Sequence, residues 1–140
     1  VQTRQAIDDL RNHTIICGYG MFGQTVAKQL QARGEDIVII EQNEDVLKRV
    51  DEETLALEGD ARREDVLQDA GIQRARAVIA GIDDSNVNIQ IGIVTSQLGP
   101  DARLVVRVGE EMYESLAKRA GADAVVIPEV VSGTDVVDRL

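Results

Sequence analysis

Short apolar runs alternate with longer amphipathic stretches along this chain. The runs fall at Thr14–Cys17, 36–40, 54–58, Ala77–Ala80, 104–108 and 124–127. Each is rich in Val, Ile, Leu or Ala and is bounded by Gly, Asp, Asn or Pro, so each reads as a short buried strand. The stretches between them carry helical spacing. A helix is expected over 24–33; Phe22, Val26 and Leu30 recur every fourth residue on one face, and Gly34 follows as a stop. Asn43 is a candidate cap for a second helix, with Glu44 and Asp45 in its first turn. Val66, Leu67 and Ala70 give a third helix its apolar face, closed by Gly71. Asp83, Asp84 and Ser85 offer caps for a longer fourth helix reaching about Leu98, broken by Gly99-Pro100. A fifth is expected over 110–120, before Gly121. Residues 1–12 are polar, with Ile7 and Leu10 the only large apolar residues after Val1, and read as a short helix or linker. Residues 132–140 read as the start of another element.

A repeated strand–helix order implies a parallel sheet covered on both faces. The fold expected is α/β, a Rossmann-like doubly wound sheet of six mainly parallel strands. Its ligand crevice lies at the carboxyl ends of the strands, where strand order reverses. The tips that matter are therefore Gly18–Gly23, Glu41-Gln42, Gly59-Asp60-Ala61, Ala80-Gly81-Ile82-Asp83 and Arg107.

The first tip is the most informative. Gly18-Tyr19-Gly20-Met21-Phe22-Gly23 is a G-x-G-x-x-G turn between a strand and a helix, and Glu41 ends the next strand eighteen residues later. That context gives the motif its specificity. Gly18 permits the tight turn, Gly20 lets a pyrophosphate approach the backbone, and Gly23 lets helix and strand pack closely. The helix N-terminus offers N–H groups and partial positive charge to phosphates. Glu41 is placed to accept from ribose hydroxyls and to repel a 2′-phosphate. NAD(H) or a plain adenine nucleotide is therefore expected over NADP(H).

The other tips carry weaker signals. Asp60 either accepts from an adenine amino group or caps the next helix. Ala80 and Gly81 leave room for ribose and phosphates, or simply make a tight turn. Asn86 and Asn88 read as solvated or capping. Arg107 interrupts the apolar run Leu104-Val105-Val106-Arg107-Val108. A charge there points to solvent or into the crevice; the crevice, with a phosphate as partner, is the expectation. Glu129, after Pro128, could meet a ligand, a cation or a second subunit.

Composition narrows the classes. The formal net charge of −10 argues against nucleic acid as a partner. Lysine occurs only at Lys28, Lys48 and Lys118, a pattern that fits a high-salt habitat or an ordinary acidic surface. Cys17 stands alone, so there is no disulfide framework. No apolar run is long enough to cross a bilayer, and no secretory signal is visible. The one histidine, His13, precedes the first strand, far from the strand tips. No nucleophile triad, metal cluster or G-K-[ST] loop stands in the sequence, so an enzyme is not expected.

Taken together, several motifs closely resemble the RCK domain family (regulator of potassium conductance, also called TrkA-N or KTN). They are Ile16-Cys17 with the glycine turn, Gly59-Asp60-Ala61, Ala70-Gly71, Ala75-Arg76-Ala77, Asp83-Asp84 with Asn86 and Asn88, Arg107, Ala120-Gly121-Ala122-Asp123, and Ile127-Pro128-Glu129 with Gly133. The resemblance covers about 13–140. It implies a cytosolic lobe at the inner face of the membrane that forms homodimers and assembles, usually as eight lobes, into a ring gating a potassium channel or transporter. It places Gly18, Tyr19, Gly20, Met21, Phe22, Glu41, Asp60, Ala61, Ala80, Gly81 and Arg107 around a nucleotide: NAD(H), or AMP, ADP or ATP. Glu129 matches a segment that in some members brings a glutamate to the phosphates or a cation. Two departures bear on the ligand. Some triphosphate-responsive members carry Arg where this chain has Met21. Calcium-gated members carry acids near the fifth strand where this chain has Arg107 and Gly109, so no metal site is expected. Residues 1–12 resemble the linker from an upstream, pore-type helix, which suggests a piece of a channel. The readings weighed against a sensor are a cofactor domain of an NAD-dependent oxidoreductase and a ligand-free structural lobe.

Overall fold

The computed structural model describes residues 2–128. Glu129, Gly133 and the element expected over 132–140 lie outside the described residues. In chain order the elements are α1 (Gln2–Asp8), β1 (Thr14–Cys17), α2 (Met21–Ala32), β2 (Ile37–Glu41), α3 (Glu44–Leu47), β3 (Leu55–Glu58), α4 (Glu64–Asp69), β4 (Ala77–Ala80), α5 (Ser85–Leu98), β5 (Arg103–Arg107), α6 (Glu114–Arg119) and β6 (Ala124–Val126). Single 3-10 turns at Ile72–Arg74 and Glu111–Tyr113 precede β4 and α6.

The six strands form one sheet in the order β3-β2-β1-β4-β5-β6, and every described pairing is parallel. β1 is central: Thr14 stands opposite Ile37 on one side and Ala77 on the other. It is buried along its whole length because helices cover both faces. Successive side chains still alternate. Ile15, Cys17, Val38 and Ile40 join the core on one face, with Leu67, Val78, Ile91 and Leu104. Ile16, Ile37 and Ile39 join Tyr19 and Ala27 on the other. Each large aliphatic side chain buried in this way stabilises the fold by about 1.5–3 kcal/mol.

The described N-terminal segment is part of this core. Ile7 of α1 is fully buried among the residues of the first face. The Arg74 guanidinium donates to the Leu10 and Ile7 carbonyls, at 3.0 and 3.1 Å, and closes the C-terminal end of α1. Arg4 pairs with Asp69 of α4 at 3.2 Å.

Two element boundaries differ from expectation. The first long helix begins at Met21 rather than Gln24, with Gly20 as its N-cap, so Gly23 lies inside its first turn. The fifth expected helix is a 3-10 turn followed by six α-helical residues. The caps expected at Asn43 and Asp84 are in place. Asn43 accepts from Asp45 and Val46 N–H, and Asp84 accepts from Val87 N–H.

His13 sits at the opposite end of β1 from the glycine turn and is fully buried. Its Nε2–H donates to the Ala70 carbonyl at 2.8 Å. Its Nδ1 has no hydrogen-bond partner among the described residues. Burial holds its pKa below the ordinary 6.5, against the opposing pull of the Ala70 carbonyl. The unfolded chain therefore takes up a proton that the folded state refuses as pH falls through about 6.5. Stability contributed by neutral His13 is complete above that pH and declines below it, by at most about 1.4 kcal/mol per pH unit. Urea midpoints measured at close pH intervals should be flat from about 8 to 7 and fall between about 6.5 and 5.5. His13→Gln should lack that step. A variant with the same slope as the parent would show that another group titrates.

Candidate functional site

A crevice of about 420 Å³ opens at the carboxyl ends of the strands. It lies where strand order reverses, between the tips of β1, β2 and β4. Gly18, Gly20, Met21 and Phe22 form its floor and one edge, with Ile40, Glu41, Gln42 and Val46 on the β2 side. Gly59 and Ala61 approach from the β3 tip. Gly81, Ile82, Asp83 and Arg107 make the opposite wall.

The glycine turn is built by three separate constraints. Gly18 has φ +96°, in the left-handed region that side chains avoid, and its N–H donates to the Ile40 carbonyl at 2.8 Å. A Cβ on Gly23 would collide with the Gly18 carbonyl oxygen, so only glycine lets α2 rest directly on the turn. Gly20 differs from both. Its φ of −73° suits any residue, and a Cβ there would meet nothing within 4 Å. The fold does not need glycine at position 20; the open space above it does. The first intrahelical acceptor at this end is the Gly20 carbonyl, which takes the Gln24 N–H at 2.9 Å. The N–H groups of Met21, Phe22 and Gly23 have no intrahelical acceptor and form the positive end of α2.

Glu41 ties the tips of β1 and β2 together. Its Oε1 accepts the Tyr19 N–H at 2.8 Å, and its Oε2 accepts the N–H groups of Gln42 and Asn43 at 2.9 Å each. A carboxylate offers about four acceptor positions, so roughly one remains for a ligand hydroxyl.

The opposite wall is held by Asn88, a fully buried residue in the second turn of α5. Its Oδ1 accepts the Ile82 N–H at 2.9 Å, and its Nδ2 donates to the carbonyls of Ile82 at 2.6 Å and Arg107 at 2.9 Å. One side chain thus joins the tips of β4 and β5. The Arg107 side chain is 14% exposed. Its guanidinium lies 5.1 Å from the Phe22 ring centroid, 3.4 Å from the Gly81 carbonyl and 3.6 Å from an Asp83 carboxylate oxygen. Gly81 is needed for this stacking, since a Cβ there would fall 2.8 Å from the Phe22 ring.

The structure places several of the expected residues away from the crevice. The Tyr19 side chain does not line the crevice; it packs with Ile16, Ala27 and Ile39, and only its backbone N–H faces Glu41. Ala80 is fully buried in the core. The Asp60 carboxylate neither lines the crevice nor caps α4. It accepts from the Arg62 backbone and holds the Arg62 guanidinium at 2.8 Å, and that hydrogen bond keeps its carboxyl below the usual carboxylate range. Asn88, read as solvated or capping, is a buried clamp. Gly18, Gly20, Met21, Phe22, Glu41, Gln42, Ala61, Gly81, Ile82 and Arg107 do come together, while Gly23 supports the turn from behind. Ile40 and Val46 line the crevice without having been singled out, and Gly59 and Asp83 line it from tips already named. Gly59 and Asp83 stood at the right strand tips, whereas nothing marks Ile40 or Val46 apart from other core residues. Cys17 is buried with its thiol pushed up to about 12, so it is an inert core residue. Among the described residues no group of three or more His, Cys, Asp or Glu could hold a metal ion, and no helix is long and apolar enough to cross a membrane.

The strand order, the glycine turn and the acidic residue at the β2 tip define a Rossmann-type module of the dinucleotide-binding architecture. The TrkA-N domain model matches residues 14–128, and the chain belongs to that family. It is 30% identical over 133 residues to potassium channel protein 1 of Methanocaldococcus jannaschii, covering 93% of this chain and 40% of that protein. It is 30% identical over 127 residues to the Trk system potassium uptake protein TrkA homolog of Pyrococcus horikoshii, covering 86% of this chain and 56% of that one. The chain thus spans about half, or less, of each of these relatives. Its fold matches the TrkA-N domain of the inner membrane protein ybaL from Escherichia coli, with a TM-score of 0.88 at 24% identity over 94% of this chain and 98% of that one. Two further neighbours were solved with nucleotides. The GsuK channel bound to NAD has a TM-score of 0.76 at 25% identity, over 85% of this chain and 22% of that one. The Kef CTD of Shewanella denitrificans in AMP-bound form has a TM-score of 0.81 at 26% identity, over 89% and 76%.

The clamp at Asn88 is open to direct test. Asn88→Ala removes three hydrogen bonds and leaves buried backbone groups unpaired, which should cost about 2–4 kcal/mol in urea unfolding. A loss below about 0.5 kcal/mol would mean that water replaces the side chain and that the two tips are joined by other means.

Proposed function

We propose that this domain binds an adenine nucleotide in the crevice and acts as the regulatory lobe of a potassium channel or transporter. The observation that carries the reading is the open space over Gly20, beneath the N-terminus of α2 and between Glu41 and Arg107. Phosphates would lie on the free N–H groups of α2 and beside Arg107. The ribose would reach the remaining acceptor position of Glu41, and the base would lie toward Ala61. The carboxylate favours NAD(H), AMP, ADP or ATP over ligands with a 2′-phosphate, and NAD(H) is the first choice. Related and neighbouring proteins with potassium channel and uptake names, and neighbours holding NAD and AMP, support the same reading.

The two other readings fare less well. In a ligand-free scaffold, side chains would be expected to fill the crevice. Here Tyr19 turns into the core, Met21 is 88% exposed, and Phe22 stacks against the wall. For an oxidoreductase, the described residues lining the crevice around Gly81 and Arg107 include no Lys, His or Tyr to exchange a proton with substrate. We read the domain as a sensor rather than an enzyme. It would work from the cytoplasmic side of the membrane, as a homodimer or an eight-lobed ring attached to a pore or transporter subunit. The nucleotide lobe would include α1, whose Ile7 is buried in the same core. Gating then requires that nucleotide bind two arrangements of the assembly with different affinity, a coupling of about 1–3 kcal/mol per site.

Gly20→Ala separates binding from folding. The new methyl group meets no protein atom but occupies the space over which a pyrophosphate must pass. Its thermal midpoint should match the parent, while calorimetric affinity for NADH, NAD⁺, AMP, ADP or ATP, whichever binds the parent, should weaken about tenfold or more. Equal affinity in the variant would move the ligand away from the turn. A parent protein that binds none of these nucleotides would overturn the reading.

A further inference from the structure

The crevice does not end at Arg107. Ile82, Asp83 and Arg107 also line a second, smaller recess of about 100 Å³, completed by Asp84, Ser85 and Gly109. The Gly109 N–H donates to Ser85 Oγ at 2.8 Å, which fixes the far edge of this recess. A ligand that begins over Gly20 and runs past Arg107 therefore enters a groove flanked by two consecutive carboxylates.

Resting on the nucleotide reading, we infer that Asp83 determines which nucleotides the crevice accepts, admitting a monophosphate or a dinucleotide and rejecting a triphosphate. Among the described residues that line the crevice, Arg107 is the one basic side chain, and the lining also holds the carboxylates of Glu41 and Asp83. The Asp83 oxygen stands 3.6 Å from the guanidinium, so part of the positive field that would meet a phosphate is already answered from within. The Asp83 side chain is 96% exposed. Its charge stands at the mouth and serves no burial or packing purpose. Asp84 is committed differently, as the N-cap of α5.

Ligand chemistry then divides cleanly. One phosphate is met by the end of α2 and by Arg107. In a triphosphate the outer groups extend past Arg107 toward Asp83 and Asp84, where like charges meet. A dinucleotide presents a different continuation. Beyond its pyrophosphate comes a ribose whose hydroxyls donate to carboxylates, followed by a nicotinamide ring that is cationic when oxidised. The discrimination is electrostatic and takes place near solvent, so it weakens as salt rises.

The test is calorimetric titration of the 140-residue chain with AMP, NAD⁺ and ATP, without divalent cations, at about 0.02 and 0.15 M salt. The parent is compared with Asp83→Asn and with Asp101→Asn. Asp101 is exposed in the turn before β5, at the other end of the strands, so its variant makes the same change in net charge away from the crevice. The parent should bind ATP about tenfold more weakly than AMP and NAD⁺ at the lower salt. Asp83→Asn should narrow that gap about three- to fivefold, with less effect at the higher salt, and Asp101→Asn should leave it in place. ATP binding as tight as AMP in the parent, an unchanged gap in Asp83→Asn, or an equal narrowing in Asp101→Asn would each overturn the assignment. A parent that binds all three nucleotides without that preference would refute the role of Asp83 and leave the nucleotide reading standing. Absence of all binding in the folded parent would remove the nucleotide reading as well.

Discussion

The close approach of α2 to the turn at the end of β1 is the constraint on which the rest of the site depends. A hydrogen atom at Gly23, in place of any side chain, lets the helix rest on the Gly18 carbonyl. Because it does, the first turn of α2 stands directly over the strand tips, and its N–H groups open into the crevice. Gly18, held at positive φ and bonded to the Ile40 carbonyl, sets the direction of the chain into that helix. Glu41 then fixes the loops on either side by accepting from Tyr19, Gln42 and Asn43. The carboxylate proposed to meet a ribose is therefore also the one that holds the floor together. Replacing it would alter both functions at once, so Gly20, which only the open space constrains, is the cleaner probe of binding.

The two walls use the same device with different chemistry. On the β2 side one carboxylate collects three backbone N–H groups. On the β4 side one amide, Asn88, satisfies an N–H and two carbonyls. Both side chains bridge strands that are neighbours in space and distant in sequence. Strand tips in a doubly wound sheet lack further ladder partners, and buried groups there need some other acceptor or donor. Supplying these from single side chains leaves the space between the tips clear. That clearance is what leaves an open crevice rather than a packed joint between helices.

How much of this was legible in the sequence follows from the same distinction. The strands were readable because their apolar runs are short and punctuated, and the glycine turn because each glycine has a separate steric reason. Side-chain direction was harder. Tyr19 and Ala80 both belong to strand-tip segments pointing at the crevice, yet Tyr19 turns into the second face of the core and Ala80 lies buried in the first. Asp60 sits at a tip as well, but Arg62 two residues later offers a guanidinium at 2.8 Å and captures it locally. Asn88 was passed over because an asparagine early in a helix has ordinary uses, and only the return of β5 beside β4 reveals its three partners. Arg107 lines the crevice for a physical reason. A charge inside an apolar strand must find polar company, and at the end of β5 that company lies in the crevice.

The anion site proposed on a chain of net charge −10 calls for a local explanation. The positive end of α2 and the Arg107 guanidinium act within a few ångströms, while most of the acidic side chains are exposed and screened beyond about 8–10 Å at ordinary salt. A phosphate in the crevice therefore responds mainly to the groups lining it. The same reasoning makes Asp83 different from the other surface acids. It stands beside the guanidinium and at the mouth, inside the screening distance. Its position lets a single exposed carboxylate influence which ligand the crevice holds, while the remaining acids set only the background field through which every anion must approach.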